Sequence, residues 1–98
     1  MKDGCFVMER NVVVQLQHGL QARHANQFVQ KSSSFNSEIS IIKNGRMAAG
    51  KGIIGVMALV IRKGEEITLL ANGSDEEAAI IALESFLSDR ELNVLDLH

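Results

Sequence analysis

The fold class that this sequence predicts is an α+β open-faced sandwich, a four-stranded antiparallel sheet covered on one face by three helices. Three observations carry the prediction. Segments whose apolar residues alternate at period two are interrupted by segments whose apolar residues recur at helical spacing. Asn44-Gly45 stands between two short alternating runs, where it offers the two positive-φ residues that a tight hairpin needs. Ser74-Asp75-Glu76-Glu77 reads as a capping box ahead of the last apolar helical stripe.

The elements follow in order. Val12, Val14 and Leu16 on one face, against Val13, Gln15 and Gln17 on the other, make residues 11–17 a half-buried first strand. His18-Gly19 breaks it. From Ala22 the spacing of Ala22, Ala25, Phe28, Val29 and Ser32 gives a narrow apolar stripe, and the polar run Ser32-Ser33-Ser34 ends this first helix. Ile39 and Ile41 alternate with Ser40 and Ile42 in a second strand, and the Asn44-Gly45 turn makes the third strand its antiparallel neighbour. Gly50 and Gly52 loosen the chain ahead of residues 53–59, a short apolar segment whose period suits a strand as well as a helix. After the turn at Lys63-Gly64-Glu65, Ile67, Leu69 and Ala71 mark a fourth strand, closed by Asn72-Gly73. In the capping box the Ser74 hydroxyl and the Glu77 carboxylate are expected to satisfy free amides, with acids at the positive helix end. The last helix then turns Ala79, Ile80, Leu83, Phe86 and Leu87 inward.

Length and composition bound the function classes. A chain of 98 residues is the size of one domain, here with its core over about residues 8–87, a short N-terminal lead and a C-terminal extension. With 10 basic and 12 acidic side chains and a formal charge of -2, it lacks the positive field that direct nucleic-acid binding needs. The single cysteine, Cys5, cannot form an internal disulfide, and Asp3 and Glu9 surround too short an apolar patch for a signal-peptide core, so a reducing cytoplasm is expected. No apolar run approaches the ~18 residues of a spanning helix, which excludes a direct membrane role of that kind. His18, His24 and His98 show no metal-ligand spacing, and neither a metal nor an organic cofactor is expected. From Ser88 to His98, acids alternate with Leu92, Val94, Leu95 and Leu97, as in a frayed helix end or an adhesive tail.

Two segments carry a family resemblance. Gly19-Leu20-Gln21-Ala22-Arg23-His24-Ala25 and Gly50-Lys51-Gly52-Ile53-Ile54-Gly55-Val56-Met57 resemble the two signature regions of HPr, the histidine phosphocarrier of the bacterial sugar phosphotransferase system, and of Crh, its regulatory relative. The likeness runs over about residues 8–87 and implies that residues 53–59 are a helix. It also implies a role for each segment. Family members usually read Gly-Leu-His-Ala-Arg-Pro-Ala in the first, where the histidine takes phosphate beside an arginine and free helix amides. In the second, a serine ahead of the helix is phosphorylated by a dedicated kinase, and the added charge supports binding to a transcriptional regulator.

This chain departs from both patterns. Gln21 stands at the acceptor-histidine position, and its amide nitrogen, delocalised into the carbonyl, cannot take phosphate under ordinary conditions. Gly52 stands at the regulatory-serine position and has no side chain to modify, although glycine is a tolerable N-cap. Arg23 and the helix start remain, and a glutamine between Gly-Leu and Ala-Arg resembles the Crh-like branch. His24 replaces the proline, and either His24 or His18 is a fallback phosphoacceptor, although both are expected to be solvated surface residues and a protonated ring near a helix N-terminus is disfavoured.

The resemblance and the residues together imply a non-enzymatic, protein-binding regulatory module of the phosphotransferase system. Its contact residues are Gln21, Arg23 and His24 at one corner and Lys51, Ile53, Ile54 and Met57 on a helical ridge, with Val56 and Leu59 in the core. The implied partner is a transcriptional regulator or a phosphotransferase-system enzyme. One alternative is a phosphocarrier in phosphoenolpyruvate-dependent sugar uptake that uses His24 or His18. Another is a self-associating structural domain, a homodimer that pairs through the apolar tail or the edge-like strand Met47-Ala48-Ala49-Gly50.

Overall fold

The computed structural model describes residues 8–89. In chain order the elements are β1 (Met8–Val13), α1 (Ala22–Ser33), β2 (Glu38–Lys43), β3 (Arg46–Ala49), α2 (Ile53–Ala58), β4 (Glu66–Asn72) and α3 (Glu76–Leu87). The four strands lie in the order β1-β4-β2-β3, and each neighbouring pair is antiparallel. Strand β4 therefore runs between two strands that precede it in sequence. The open-faced sandwich read from the sequence is the fold observed.

Alternation decides which face the helices cover. Val12, Ile39, Ile41, Ala48, Ile67, Leu69 and Ala71 are all buried, and they meet Ala25, Phe28, Val56, Ile80, Leu83 and Leu87 from the three helices in one core. The intervening Asn11, Val13, Met47, Ala49 and Glu66 are exposed, and Ser40, Ile42, Thr68 and Leu70 are half-buried on the uncovered face. Each fully buried Leu, Ile or Phe withdraws its side chain from water, a contribution of about 1.5–3 kcal/mol apiece. The hairpin forms where expected, with Asn44 at φ 52° and Gly45 at φ 81°.

Two boundaries differ from the sequence reading. Strand β1 covers Met8–Val13 rather than residues 11–17. Val14 and Leu16 are buried as the alternation demands, yet beyond Val13 the backbone changes partners: the Val14 amide donates to the Glu65 carbonyl (2.9 Å), and the Gln15 amide donates to the Leu87 carbonyl (2.8 Å) at the end of α3. Period two reports burial and is blind to the ladder partner. In the first helix, Ala22 is exposed and does not belong to the buried stripe.

The capping box is also displaced. Asp75, not Ser74, is the N-cap of α3, and Glu76, not Glu77, reaches back, its Oε1 accepting from the Gly73 amide at 3.0 Å. The Asp75 carboxylate spans the fold instead of capping its own helix. Its Oδ2 accepts from the Asn36 amide (2.9 Å), and its Oδ1 accepts from the Ser37 amide (2.9 Å) and the Ser37 hydroxyl (2.5 Å). These bonds hold the carboxyl of Asp75 below the usual carboxylate range, the Ser37 hydroxyl first and the Asn36 amide next. Cys5, His98 and the tail residues Leu92, Val94, Leu95 and Leu97 lie outside the described residues.

Candidate functional site

The first corner is built on a glycine that has no substitute. Gly19 is buried at φ +70°, and a Cβ there would lie 2.2 Å from the Ile61 carbonyl oxygen. Such a contact is a hard overlap in a backbone region that L-residues avoid. The approach lets the Leu20 amide donate to the same Ile61 carbonyl at 2.9 Å, and the Leu20 side chain is fully buried beneath it. The corner is thereby fastened to the segment that leaves α2.

Gln21 is the N-cap of α1, extended at φ -123°, ψ 151°, with no side-chain capping bond. Its carbonyl accepts the first helical bonds, from the amides of His24 (3.0 Å) and Ala25 (3.4 Å). Ala22 follows at φ 46°, an unusual conformation for a residue with a Cβ. The earliest amides of any α-helix have no acceptor within it, and here the first turn carries no acidic side chain to offset the positive helix end. Arg23 is exposed beside it. The corner thus favours an anion or an acidic partner group.

The two nearby histidines part company. His18 is exposed, as the sequence reading expects. His24 is half-buried, because its ring packs at 6.2 Å centroid distance and 59° against Phe86 of α3. This corrects its placement as a solvated side chain. The signal for the contact was present in the inward spacing of Phe86, but nothing in the sequence pairs that ring with α1.

The second segment starts from Gly52, the N-cap of α2, at φ -114°, ψ 110° with no side-chain bond. A Cβ at Gly52 would meet nothing closer than the Ala49 carbonyl oxygen at 3.7 Å, which is ordinary van der Waals contact, so the position has room for a side chain. Gly50 differs: a Cβ there would lie 2.6 Å from Ile39 Cγ2, inside the core wall. The short helix then sorts its apolar residues. Val56 and Leu59 are buried, as expected, while Ile54 is 79% exposed and Met57 37% exposed. Ile53 is half-buried and packs on the core, so it belongs less to the ridge than the sequence reading has it. The Lys51 ammonium donates to the Phe35 carbonyl at 2.9 Å, across to the loop after α1.

One neighbour of the ridge was missed from the sequence. Val60, 43% exposed, sits at φ 51° just past α2, and its carbonyl accepts from Lys43 Nζ at 2.6 Å. The same ammonium pairs with Glu65 at 2.9 Å, and that contact, with a bond from the Arg62 amide, lowers the Glu65 carboxyl below its usual range. A β-branched residue at positive φ has no sequence signature. Among the described residues no group of three or more metal-ligating side chains comes together, and no helix is long and apolar enough to cross a membrane.

Comparison with known proteins gives concordant results. The family model described as the PTS HPr component phosphorylation site matches residues 8–89. The HPr-like protein Crh of Halalkalibacterium halodurans is 46% identical over 81 residues, which cover 83% of this chain and 96% of that protein. The crystal structure of the phosphocarrier protein HPr from Bacillus anthracis superimposes with a TM-score of 0.82 at 41% identity, covering 83% of this chain and 96% of that one. Crh of Bacillus subtilis, solved as a domain-swapped dimer, gives a TM-score of 0.69 at 40% identity, covering 80% and 90% of the two chains.

Proposed function

The chain belongs to the HPr family of the bacterial phosphotransferase system, with Crh among its relatives, and from that membership we propose that it is a non-catalytic, protein-binding regulatory member in which both phosphoacceptor positions are replaced. The observation that carries this reading is Gln21. It stands between Gly-Leu and Ala-Arg, where the family resemblance places the acceptor histidine, and it caps the positive end of α1 beside the exposed Arg23. The electrostatic cradle and the nucleophile are separable parts of a phosphoacceptor. Here the first is kept and the second is an amide. Gly52 removes the hydroxyl at the second position while the exposed Ile54 and Met57 remain available to a partner.

The displaced-histidine alternative loses support from the packing of His24 on Phe86, which turns that ring along the α1–α3 flank. Self-association is a second reading with an observation in its favour: β1 and β3 are both edge strands, and the Bacillus subtilis Crh relative exchanges a segment between two copies. The working compartment in this proposal is the cytoplasm, and the partner is a transcriptional regulator or a phosphotransferase-system enzyme.

The test is phosphate transfer read by intact mass. Incubated with phosphoenolpyruvate and the general phosphotransferase enzyme, the protein should gain no phosphate, whereas a Gln21→His variant should gain some, since Gln21 contributes no side-chain cap that the change would remove. Phosphate on His18 or His24 of the unaltered protein would establish the carrier function instead.

A further inference from the structure

Strand parity sorts charge as well as hydropathy. The cations of the four strands are Arg10, Lys43 and Arg46, and all three have the parity of the helix-covered face. Arg10 pairs with Glu84 of α3 at 2.6 Å, the Lys43 ammonium donates to the Val60 carbonyl just past α2, and Arg46 stands opposite Lys43 in the register. The other face carries acids alone: Glu9 on β1, Glu38 on β2 and Glu66 on β4, all exposed. Among the described residues none of the three forms an ion pair or a side-chain hydrogen bond.

These acids surround an apolar patch. Ile42 stands opposite Met47 of β3, and Leu70 of β4 stands opposite Ser40, whose other neighbour is Ala49. Ile42 and Leu70 are therefore diagonal neighbours on adjacent strands, about 7–8 Å apart and close enough for their side chains to meet. Met47 is 62% exposed. Glu9 is the register partner of Leu70, Glu38 precedes Ser40 by one outward position, and Glu66 likewise precedes Thr68, so the patch has acids on three sides. The solvated face of an antiparallel sheet ordinarily alternates to polar residues, and an apolar patch with a polar rim marks a contact surface.

We propose that this face docks a cationic amphipathic helix of a partner protein, with its apolar stripe on Ile42, Met47 and Leu70 and its lysines or arginines over Glu9, Glu38 and Glu66. Charge selects the occupant. A second copy laid face to face would oppose acids to acids, whereas a basic helix complements the rim. The dimensions agree, since β4, β2 and β3 span about 10 Å from first to last, the width of one helix. The Gln21 corner and the α2 ridge belong to the helix layer on the opposite side of the sheet, so the inference stands without the regulatory reading.

Two peptides test it by nuclear magnetic resonance titration of the full chain. One is a helix of leucines at i, i+3, i+4 and i+7 with lysines between them, and the other has glutamates in place of the lysines. The lysine peptide should shift the amide resonances of Ile42, Met47, Thr68 and Leu70, and the glutamate peptide should leave them still. Met47→Lys should weaken the lysine peptide by about tenfold or more while keeping the parent's urea midpoint, because the side chain is exposed. Ile81→Lys, at an exposed apolar position on α3, should not weaken it. A Glu9→Gln/Glu38→Gln/Glu66→Gln triple variant should bind with little dependence on salt, unlike the parent. Equal binding of the two peptides, shifts confined to the helix layer, or an affinity that Met47→Lys leaves unchanged would overturn the proposal. A doubling of mass without peptide that Met47→Lys abolishes would overturn it too, since the occupant would then be a second copy.

Discussion

Helix α2 offers a short internal scale on which its ridge can be separated from its core. Val56 is fully buried, so Val56→Ala removes apolar contacts and leaves a void, at a cost of about 2 kcal/mol. Ile54 is 79% exposed and keeps only a small part of the ~2–3 kcal/mol that full burial would contribute, roughly 0.5 kcal/mol. Alanine recovers about the same amount through its better helix propensity, so Ile54→Ala should leave stability nearly unchanged. Met57, 37% exposed, falls between the two, at about 1 kcal/mol. With a urea slope of about 1–1.5 kcal/mol per molar for a domain this small, Val56→Ala should lower the unfolding midpoint by more than about 1 M. Ile54→Ala should hardly move it. Against a partner protein the order should invert, Ile54→Ala costing about 1 kcal/mol or more if the side chain is a contact hot spot. A loss of stability in Ile54→Ala equal to that in Val56→Ala would place Ile54 in the core and end the argument for a ridge.

Three further outcomes follow from the geometry. Gly52→Ser should fold normally and gain at most a few tenths of a kcal/mol, because the backbone is extended, the space is open and serine is the better N-cap; with the family's kinase and ATP it should acquire the phosphate, by intact mass, that the unaltered protein does not take at this position. Asp75 has its folded pKa below the unfolded one, so its stabilising contribution is full above the ordinary carboxylate range and lost as pH falls through the folded value. Asp75→Asn should therefore be less stable than the parent near neutrality and show a shallower decline in acid, in urea midpoints measured across pH; parallel declines would mean the Ser37 and Asn36 bonds do not control the titration. Gly19→Ala should cost about 1–2 kcal/mol from the left-handed backbone alone, with the overlap on Ile61 in addition. A thermal midpoint equal to that of the parent would show that this corner can relax.

Legibility from the sequence followed the physics of each signal. Alternation and helical spacing report burial directly, so the inward faces of β2, β4 and α3 were readable from Ile39, Ile41, Ile67, Leu69, Ile80 and Leu83. The Asn44-Gly45 hairpin was readable because positive φ at two successive residues demands such a pair. The end of β1 was not, since Val14 and Leu16 keep the pattern while their backbone turns to a loop and a helix terminus. Asp75 escaped for a related reason: an acid before a helix suits a local cap equally well as a clamp on Asn36 and Ser37, more than thirty residues away in sequence. At the site, the residue types at Gln21 and Gly52 were plain, but the packing of His24 on Phe86, the reach of Lys51 to Phe35 and the strained Val60 are long-range or conformational facts with no local trace.

The contact between Gly19 and Ile61 bears on how signature motifs are to be interpreted. Of the residues that mark the first segment, Gly19 and Leu20 are demanded by folding, one by a carbonyl at closest approach and the other by full burial. A copy of this gene released from every chemical duty would still be held to both, since replacing either one costs the fold stability. The part of the motif that is not buried, Gln21 and Arg23 within it, is at liberty to register a change of occupation. A search keyed to the glycine and leucine therefore detects an architecture, and the question of what the protein does rests on the side chains that face outward, at the head of α1 and on the ridge of α2.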